Sequence, residues 1–376
     1  MSDTPLSGLR CVELNERGGA SYAGKLLRRL GAEVVKAEPP GGDPLRRRMS
    51  PRHEDGGRTT TAAFDYFNEG KQTRRVADGA ELRELLEGAD VFVLDVEPRR
   101  YDAWGLTPEG LNELPCRVVV ALTPFGFSGP YAGFRGGEMV ASAFGGMSVG
   151  IGEPKREPLR MPFMQTAIQG GLVASIAAMG VLMDPGDGEG ATVVEISETD
   201  VWATLHAGTT MVAFLFSNRM RRRAGRRLLG QPYPHQLFRC KDGWIAIQGS
   251  ERRQYDQFVE MVGSPEWARE RKFGSRLTMN FQHADEVDAL LAPWFGQRTR
   301  AEIFAECRAR KIPAAPVRTL TEVREDPDMT EHGDLESYTG ATGVELTVPT
   351  PPLRFRNARL EPPGPAPQAT EAEVAR

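Results

Sequence analysis

Few residues in this chain have a type and spacing that could carry chemistry unaided. The five histidines, His53, His206, His235, His283 and His332, are scattered, with no i, i+4 pair and no carboxylate spacing that suggests a metal. His206 lies on a long apolar stretch and reads as a core or interface residue. Cys11, Cys116, Cys240 and Cys307 stand far apart without a CxxC pair, which is the pattern of reduced structural thiols in a cytoplasmic protein. The run from Arg219 to Arg227 holds six arginines. It admits contact with phosphates or nucleic acid, but no aromatic residues interleave with it, so a solvated helix end and hinge is the plainer reading.

These residues must be positioned by a chain long enough for one large and one smaller domain. With 40% hydrophobic residues and a formal charge of −4, no global electrostatic case exists for nucleic acid or membrane as a partner. Gly8 to Leu14 reads as a strand, Ser21 to Leu30 as an amphipathic helix and Ala32 to Glu38 as a second strand, a βαβ unit. Its first turn, Asn15 to Ser21, contains glycines but not the GxGxxG spacing of a dinucleotide site, so a nicotinamide or flavin cofactor is not expected. Further units follow: helix 80–87, strand 90–95, helix 107–113 and strand 117–122. Alternation of this kind predicts a doubly wound, mostly parallel α/β sheet covered on both faces. The rigid loop Pro124 to Tyr131 should then lie beyond the carboxyl end of a strand, where such sheets bind ligands.

The stretch from Arg160 to Ser197 organises the rest. From Gln165 to Met183 no residue is charged, and Gly170, Gly171, Ala174, Ser175, Ala177, Ala178 and Gly180 keep the surface small. The segment grazes the length of a membrane span, but it lacks aromatic or basic flanks and reads as a buried central helix. Asp184 to Gly190 stops it, and Ala191 to Ser197 reads as a strand. A second long helix is expected over 198–218. The domains predicted are a large one over 1–220, a small α/β one over 225–320, a return to the large domain over 321–360, and a loose tail over 361–376, rich in proline and alanine.

Seven segments, in order, resemble the family III coenzyme A transferases, a group that includes formyl-CoA and carnitine-CoA transferases and alpha-methylacyl-CoA racemases. They are Gly8 to Leu14, Tyr22 to Leu27, Leu30 to Arg46, Asn68 to Lys71, Gly126 to Tyr131, Asp242 to Ile247 and Ile312 to Val317. The resemblance implies two chains threaded together as interlocked rings, with CoA or acyl-CoA as substrate, a carboxylic acid as co-substrate and no metal. It also implies an aspartate at the start of the central helix. That carboxylate attacks the thioester, releases CoA and forms an enzyme-bound anhydride, dividing one hard exchange into two easier steps.

The chain departs from that pattern at the aspartate, whose position falls on Thr166. A hydroxyl there needs a positioned base to act as nucleophile. The racemase histidine is missing too: Gly137 is followed by Glu138, which is either pocket-lining or a base. The CoA segment that usually reads Asn-Phe-Arg-Pro-Gly is Asp95-Val-Glu-Pro-Arg99 here, so Glu97 replaces a phosphate-facing arginine. Arg99 and Arg100 are expected to compensate, Lys36, Lys71 and the Arg46-Arg47-Arg48 run to serve nucleotide phosphates, and Arg17 to meet the pantetheine or adenine side. His235, where the resemblance begins its small-domain loop, can face the cleft. The expected function is CoA transfer between an acyl-CoA and a carboxylic acid, as the subunit without a nucleophile beside an aspartate-bearing subunit. The alternatives are a self-sufficient transferase or racemase using other residues, and an acyl-CoA-binding protein without turnover.

Overall fold

In the computed structural model, which describes residues 4–48, 52–55, 58–184, 190–207, 216, 223–228 and 230–368, the β-α alternation builds one six-stranded sheet. Its strands are β1 (Arg10–Leu14), β2 (Glu33–Glu38), β3 (Gln72–Arg75), β4 (Ala89–Leu94), β5 (Cys116–Thr123) and β6 (Thr192–Ser197). All pair in parallel, in the order β3-β2-β1-β4-β5-β6. The order reverses between β1 and β4. Chains leaving those two strands diverge, and a crevice opens beyond their carboxyl ends.

Helices cover both faces, which is why the central strands are apolar on both sides. On one face Val12, Leu14, Phe92 and Leu94 pack with Leu82 and Leu85 of α3 (Gly79–Leu86), and with Tyr101 and Trp104. On the other, Cys11, Val34, Val91 and Val93 meet Ala20, Ala23 and Leu27 of α1 (Gly19–Arg29) and Ala174 and Ala178 of the central helix. Helix α2 (Ala62–Asn68) and the short α4 (Glu138–Phe144) precede that central helix, α5, which spans Gln165–Met183.

The small residues of α5 bring two backbones into contact. A Cβ on Gly171 would come within 2.6 Å of the Gly19 carbonyl and 2.9 Å of the Ala23 nitrogen. Gly18, with φ of 112°, occupies the left-handed region, and a Cβ there would meet Met164 Cε at 2.6 Å. The start of α1 and the start of α5 are therefore held side by side. By length and composition α5 is apolar enough to cross a membrane, yet its small face lies in the core while Leu172, Ile176 and Met183 are exposed.

Some expectations change. The helix expected over 107–113 is a single 3-10 turn at Leu111–Glu113, preceded by another at Pro98–Trp104. Thr107 caps a tight turn by accepting from the Gly110 amide instead of entering a helix. The helix expected over 198–218 begins as α6 (Glu198–Trp202) and widens into a π turn at Ala203–Ala207; its continuation lies outside the described residues, apart from residue 216.

The chain divides into two compact units, one drawing on residues 1–149, 160–221 and 327–376, the other on 150–159 and 222–326. The smaller unit holds a three-stranded antiparallel sheet of β7 (His235–Cys240), β8 (Gly243–Gln248) and β9 (Ala314–Pro316). Helices α7 (Arg252–Met261), α8 (Ala284–Gly296) and α9 (Arg300–Ala309) accompany it. In its core Phe238 and Phe295 stack at 4.4 Å between ring centres. The end of the arginine run is part of this unit: Arg226 and Arg227 both pair with Asp288, which also accepts from Tyr233 and Gln236. These two arginines are structural ion-pair members.

In the larger unit, residues 361–368 do not form the loose tail their composition suggested. The Gly70 amide donates to the carbonyls of Gly364 and Pro365 at 3.0 and 3.1 Å, and Ala366 is buried with Leu45, Phe64 and Phe67. Residues 369–376 lie outside the description.

Candidate active site at the carboxyl ends of the sheet

Of the seven candidate binding or catalytic residues, Arg17, Glu138 and Thr166 line the crevice, and Lys36, Lys71, Arg99 and Arg100 do not. Lys36 and Lys71, expected to serve nucleotide phosphates, are buried beneath α1 instead. Glu13 of β1 accepts from Lys36 at 2.8 Å and from Lys71 at 2.7 Å. Lys36 also pairs with Asp43 at 2.5 Å and donates to Ser21 Oγ at 2.8 Å. Lys71 completes its set on the Ser21 carbonyl and Asn68 Oδ1. Burial opposes charge at all three groups. Lys36 nevertheless stays above its ordinary value because Asp43 and Glu13 outweigh burial, whereas Lys71 is brought down to about 8. Glu13, with two cations on it, is held below its ordinary value in spite of burial. A cation already satisfied by carboxylates and closed off from solvent is not available to a phosphate.

Arg99 and Arg100 are at the surface but engaged. Arg99 folds back on Glu97, with Nε donating at 2.7 Å, and Arg100 pairs with Glu16. Asp95, the first residue of the altered CoA segment, follows β4 and has a structural task. Its carboxylate is fully buried and accepts from the amides of Glu16, Arg17, Gly18 and Ala20, fixing the turn that starts α1.

That turn delivers Arg17 to the switch point. Its Nη2 donates to the Leu122 carbonyl and to Glu198 Oε1, both at 3.1 Å. Its Nε and Nη1 are buried without an acceptor, and Glu198 Oε2 is buried without a donor. Arg17 and Glu198 line a cavity of about 540 Å³ together with Glu138 and Thr166, a volume within the ordinary range for small-molecule sites. Pro162, Phe163, Met164 and Leu45 give it an apolar wall, and Arg160 stands at its edge. Phe163 is 72% exposed and has φ of 57°, a left-handed conformation uncommon for a bulky residue.

Thr166 and Glu138 form one assembly at the start of α5. Glu138 Oε1 accepts from the Thr166 amide at 2.7 Å and so caps the helix from another element. The Thr166 hydroxyl donates to the Glu138 carbonyl at 3.2 Å and accepts from Trp202 Nε1 at 2.8 Å. Its proton goes to the Glu138 backbone carbonyl in this geometry, while the carboxylate of the same residue, whose pKa the hydroxyl lowers, lies within its reach. Burial raises the Glu138 pKa more than the amides of Thr166, Ala167 and Gln165 lower it. Glu198 is raised by burial as well, against the pull of Arg17.

Sequence reading missed Glu198, Arg160 and Phe163. Only the switch-point rule combined with the strand order, which puts the first residue after β6 beside the turn after β1, could have pointed to Glu198. His235 lies in the smaller unit beside Ser250 Oγ, at 3.3 Å, with its pKa lowered by burial. The side chains of His53 and His206 lie outside the description.

The sheet order defines a doubly wound α/β protein, and the crevice with its arginine and glutamates is its candidate site. The CoA-transferase family III model matches residues 6–372, and the chain belongs to that family. The alpha and beta subunits of the succinyl-CoA–L-malate CoA-transferase of Chloroflexus aurantiacus are 26% and 27% identical to it. The alpha alignment covers 92% of this chain and 81% of the relative, and the beta alignment 85% and 79%. The probable fatty acyl-CoA transferase Rv3272 of Mycobacterium tuberculosis is 27% identical, over 98% of this chain and 96% of that protein. Among solved structures, a CAIB/BAIF family protein from Brucella suis superposes with a TM-score of 0.86 at 26% identity, covering 100% of this chain and 98% of that one.

Proposed function

We propose that this chain takes part in moving CoA between an acyl-CoA and a carboxylic acid as the subunit without a nucleophile, beside a same-family chain that carries the aspartate. The single observation carrying this is the state of Thr166. Thr166 supplies no carboxylate at the position where the family resemblance requires one, and its hydroxyl is held by the Glu138 carbonyl and the Trp202 indole. Similarity to both the alpha and the beta subunit of one enzyme supports a mixed assembly. Exposed apolar side chains on α5, Leu172, Ile176 and Met183, support burial against a second chain of this fold. The relatives' names span a dicarboxylic acyl group and a fatty acyl group, so the acyl class must come from the chain's own residues.

A second reading is favoured by the position of Glu138. Its carboxylate lies at the start of α5 and lines the cavity, close to where the family resemblance requires a carboxylate, and could serve as nucleophile or base in a chain active alone.

The test is to incubate the purified lone chain with several acyl-CoA and acid pairs and follow exchange by chromatography. Intact-mass measurement before and after hydroxylamine looks for an acyl-enzyme adduct. No exchange is expected until an aspartate-bearing chain of the family is added. Turnover by the lone chain that disappears in Glu138→Gln would replace the first reading with the second.

A further inference from the structure

We propose that residues 361–368 are a strap that sets the depth of the cavity, with Ala366 holding the apolar wall in place from behind. This rests on the CoA-transfer reading above and adds the element that selects the length of the acyl group.

The strap is fastened along its length. The Glu361 amide donates to the Arg29 carbonyl at 2.8 Å, at the end of α1. The carbonyls of Gly364 and Pro365 accept from the Gly70 amide, and Arg28 donates to the Pro362 carbonyl. Further on, Arg46 Nη2 donates to the Pro367 carbonyl at 2.9 Å. Pro362, Pro363, Pro365 and Pro367 fix φ and have no backbone N–H to satisfy. Such a segment loses little conformational entropy on docking, and it docks through its carbonyls. Composition suggests a loose tail because it shows the prolines but not the donors, which come from Arg28, Arg46 and Gly70.

Beneath the strap lies the cavity wall. Ala366 is 3% exposed and belongs to one buried cluster with Leu45, Phe64, Phe67 and Ala167, against which Met164 packs. Leu45, Met164 and Ala167 line the cavity. The residue after Leu45 is Arg46, which holds the strap, lies over the Phe64 ring at 3.8 Å and pairs with Glu38. The Leu45 amide donates to Asp43 Oδ1 and its carbonyl accepts from Thr61 Oγ1, both at 2.7 Å. A close-packed cluster has no voids to absorb a change of volume, so the size of residue 366 is transmitted to the cavity. Arg17, Glu138 and Glu198, the polar lining residues, are held by hydrogen bonds of their own and have no place in this cluster. A change at Ala366 therefore acts on the apolar wall.

The experiment is calorimetric titration of the full chain and its Ala366→Leu and Ala366→Gly variants with CoA, acetyl-CoA and octanoyl-CoA, with thermal unfolding in parallel. CoA is common to the three ligands, so the ratio of octanoyl-CoA to acetyl-CoA affinity reports the acyl fit alone. Leucine adds volume behind the wall and should lower that ratio by about fivefold or more. Glycine removes a buried methyl and should raise it by about twofold. CoA itself should bind all three proteins equally. Loss of thermal stability with no change in the ratio would mean that the strap only stabilises the fold, and would overturn the assignment while CoA binding leaves the transfer reading intact. If Ala366→Leu does not fold, an unchanged ratio in Ala366→Gly overturns it. Absence of binding by CoA and both thioesters to the wild type would instead remove the transfer reading, and this inference with it.

Discussion

Two groups of charges flank the start of α1, one built on Glu13 and the other on Arg17, and they have opposite characters. Beneath α1, Glu13, Lys36, Asp43 and Lys71 form a closed cluster in which each charge meets an opposite charge at hydrogen-bonding distance. At the switch point, Arg17, Glu198 and Glu138 surround a cavity and leave two guanidinium nitrogens and one carboxylate oxygen unmet. Residue type does not distinguish the two groups; only their partners and the neighbouring cavity do. In a low-dielectric setting an unbonded polar atom is costly, and in these two groups the residues that carry such atoms are the ones that line the cavity.

The largest effect that would sharpen this contrast is expected in the closed cluster. Glu13→Gln leaves Lys36 and Lys71 buried with their shared carboxylate gone, and should cost roughly 3–5 kcal/mol of stability in urea unfolding. A loss below about 1 kcal/mol would mean the cluster relaxes or hydrates, and the contrast would break.

A smaller loss is expected from Thr166→Val, which keeps the shape and removes the hydroxyl. It strands the Trp202 indole N–H in the core and should cost about 1–3 kcal/mol. Exchange by the mixed assembly should persist. Loss of exchange in a variant whose fold is intact by circular dichroism would restore a chemical role for Thr166.

The smallest effect concerns pH. Glu138 and Glu198 have folded pKa values raised by burial, so the folded chain holds their protons more tightly than the unfolded chain. The stability this contributes is full below the ordinary glutamate value and is lost as pH rises through the raised values. Wild type should therefore lose stability over that window relative to Glu138→Gln. Parallel stability curves would show that Glu138 titrates normally.

Much of the architecture was legible from sequence. The alternation of β1, β2, β4 and β5 with helices predicted a two-sided parallel sheet, and the small residues from Gly170 to Ala178 a close neighbouring backbone, because both depend on local pattern and side-chain size. The seven ordered segments also carried the family. Lys36 and Lys71 misled because a lysine has the same symbol whether it meets a phosphate or a buried glutamate; only the pairing of β1 with β2 and the packing of α1 over Glu13 decided between them. The same holds at the crevice. Sequence located the start of α5 and the substitution at Thr166, but Glu198 lies 181 residues from Arg17 and Glu138 caps a helix that begins 27 positions later at Gln165. Such contacts arise only when the sheet order brings distant strand ends together, and no local pattern encodes them.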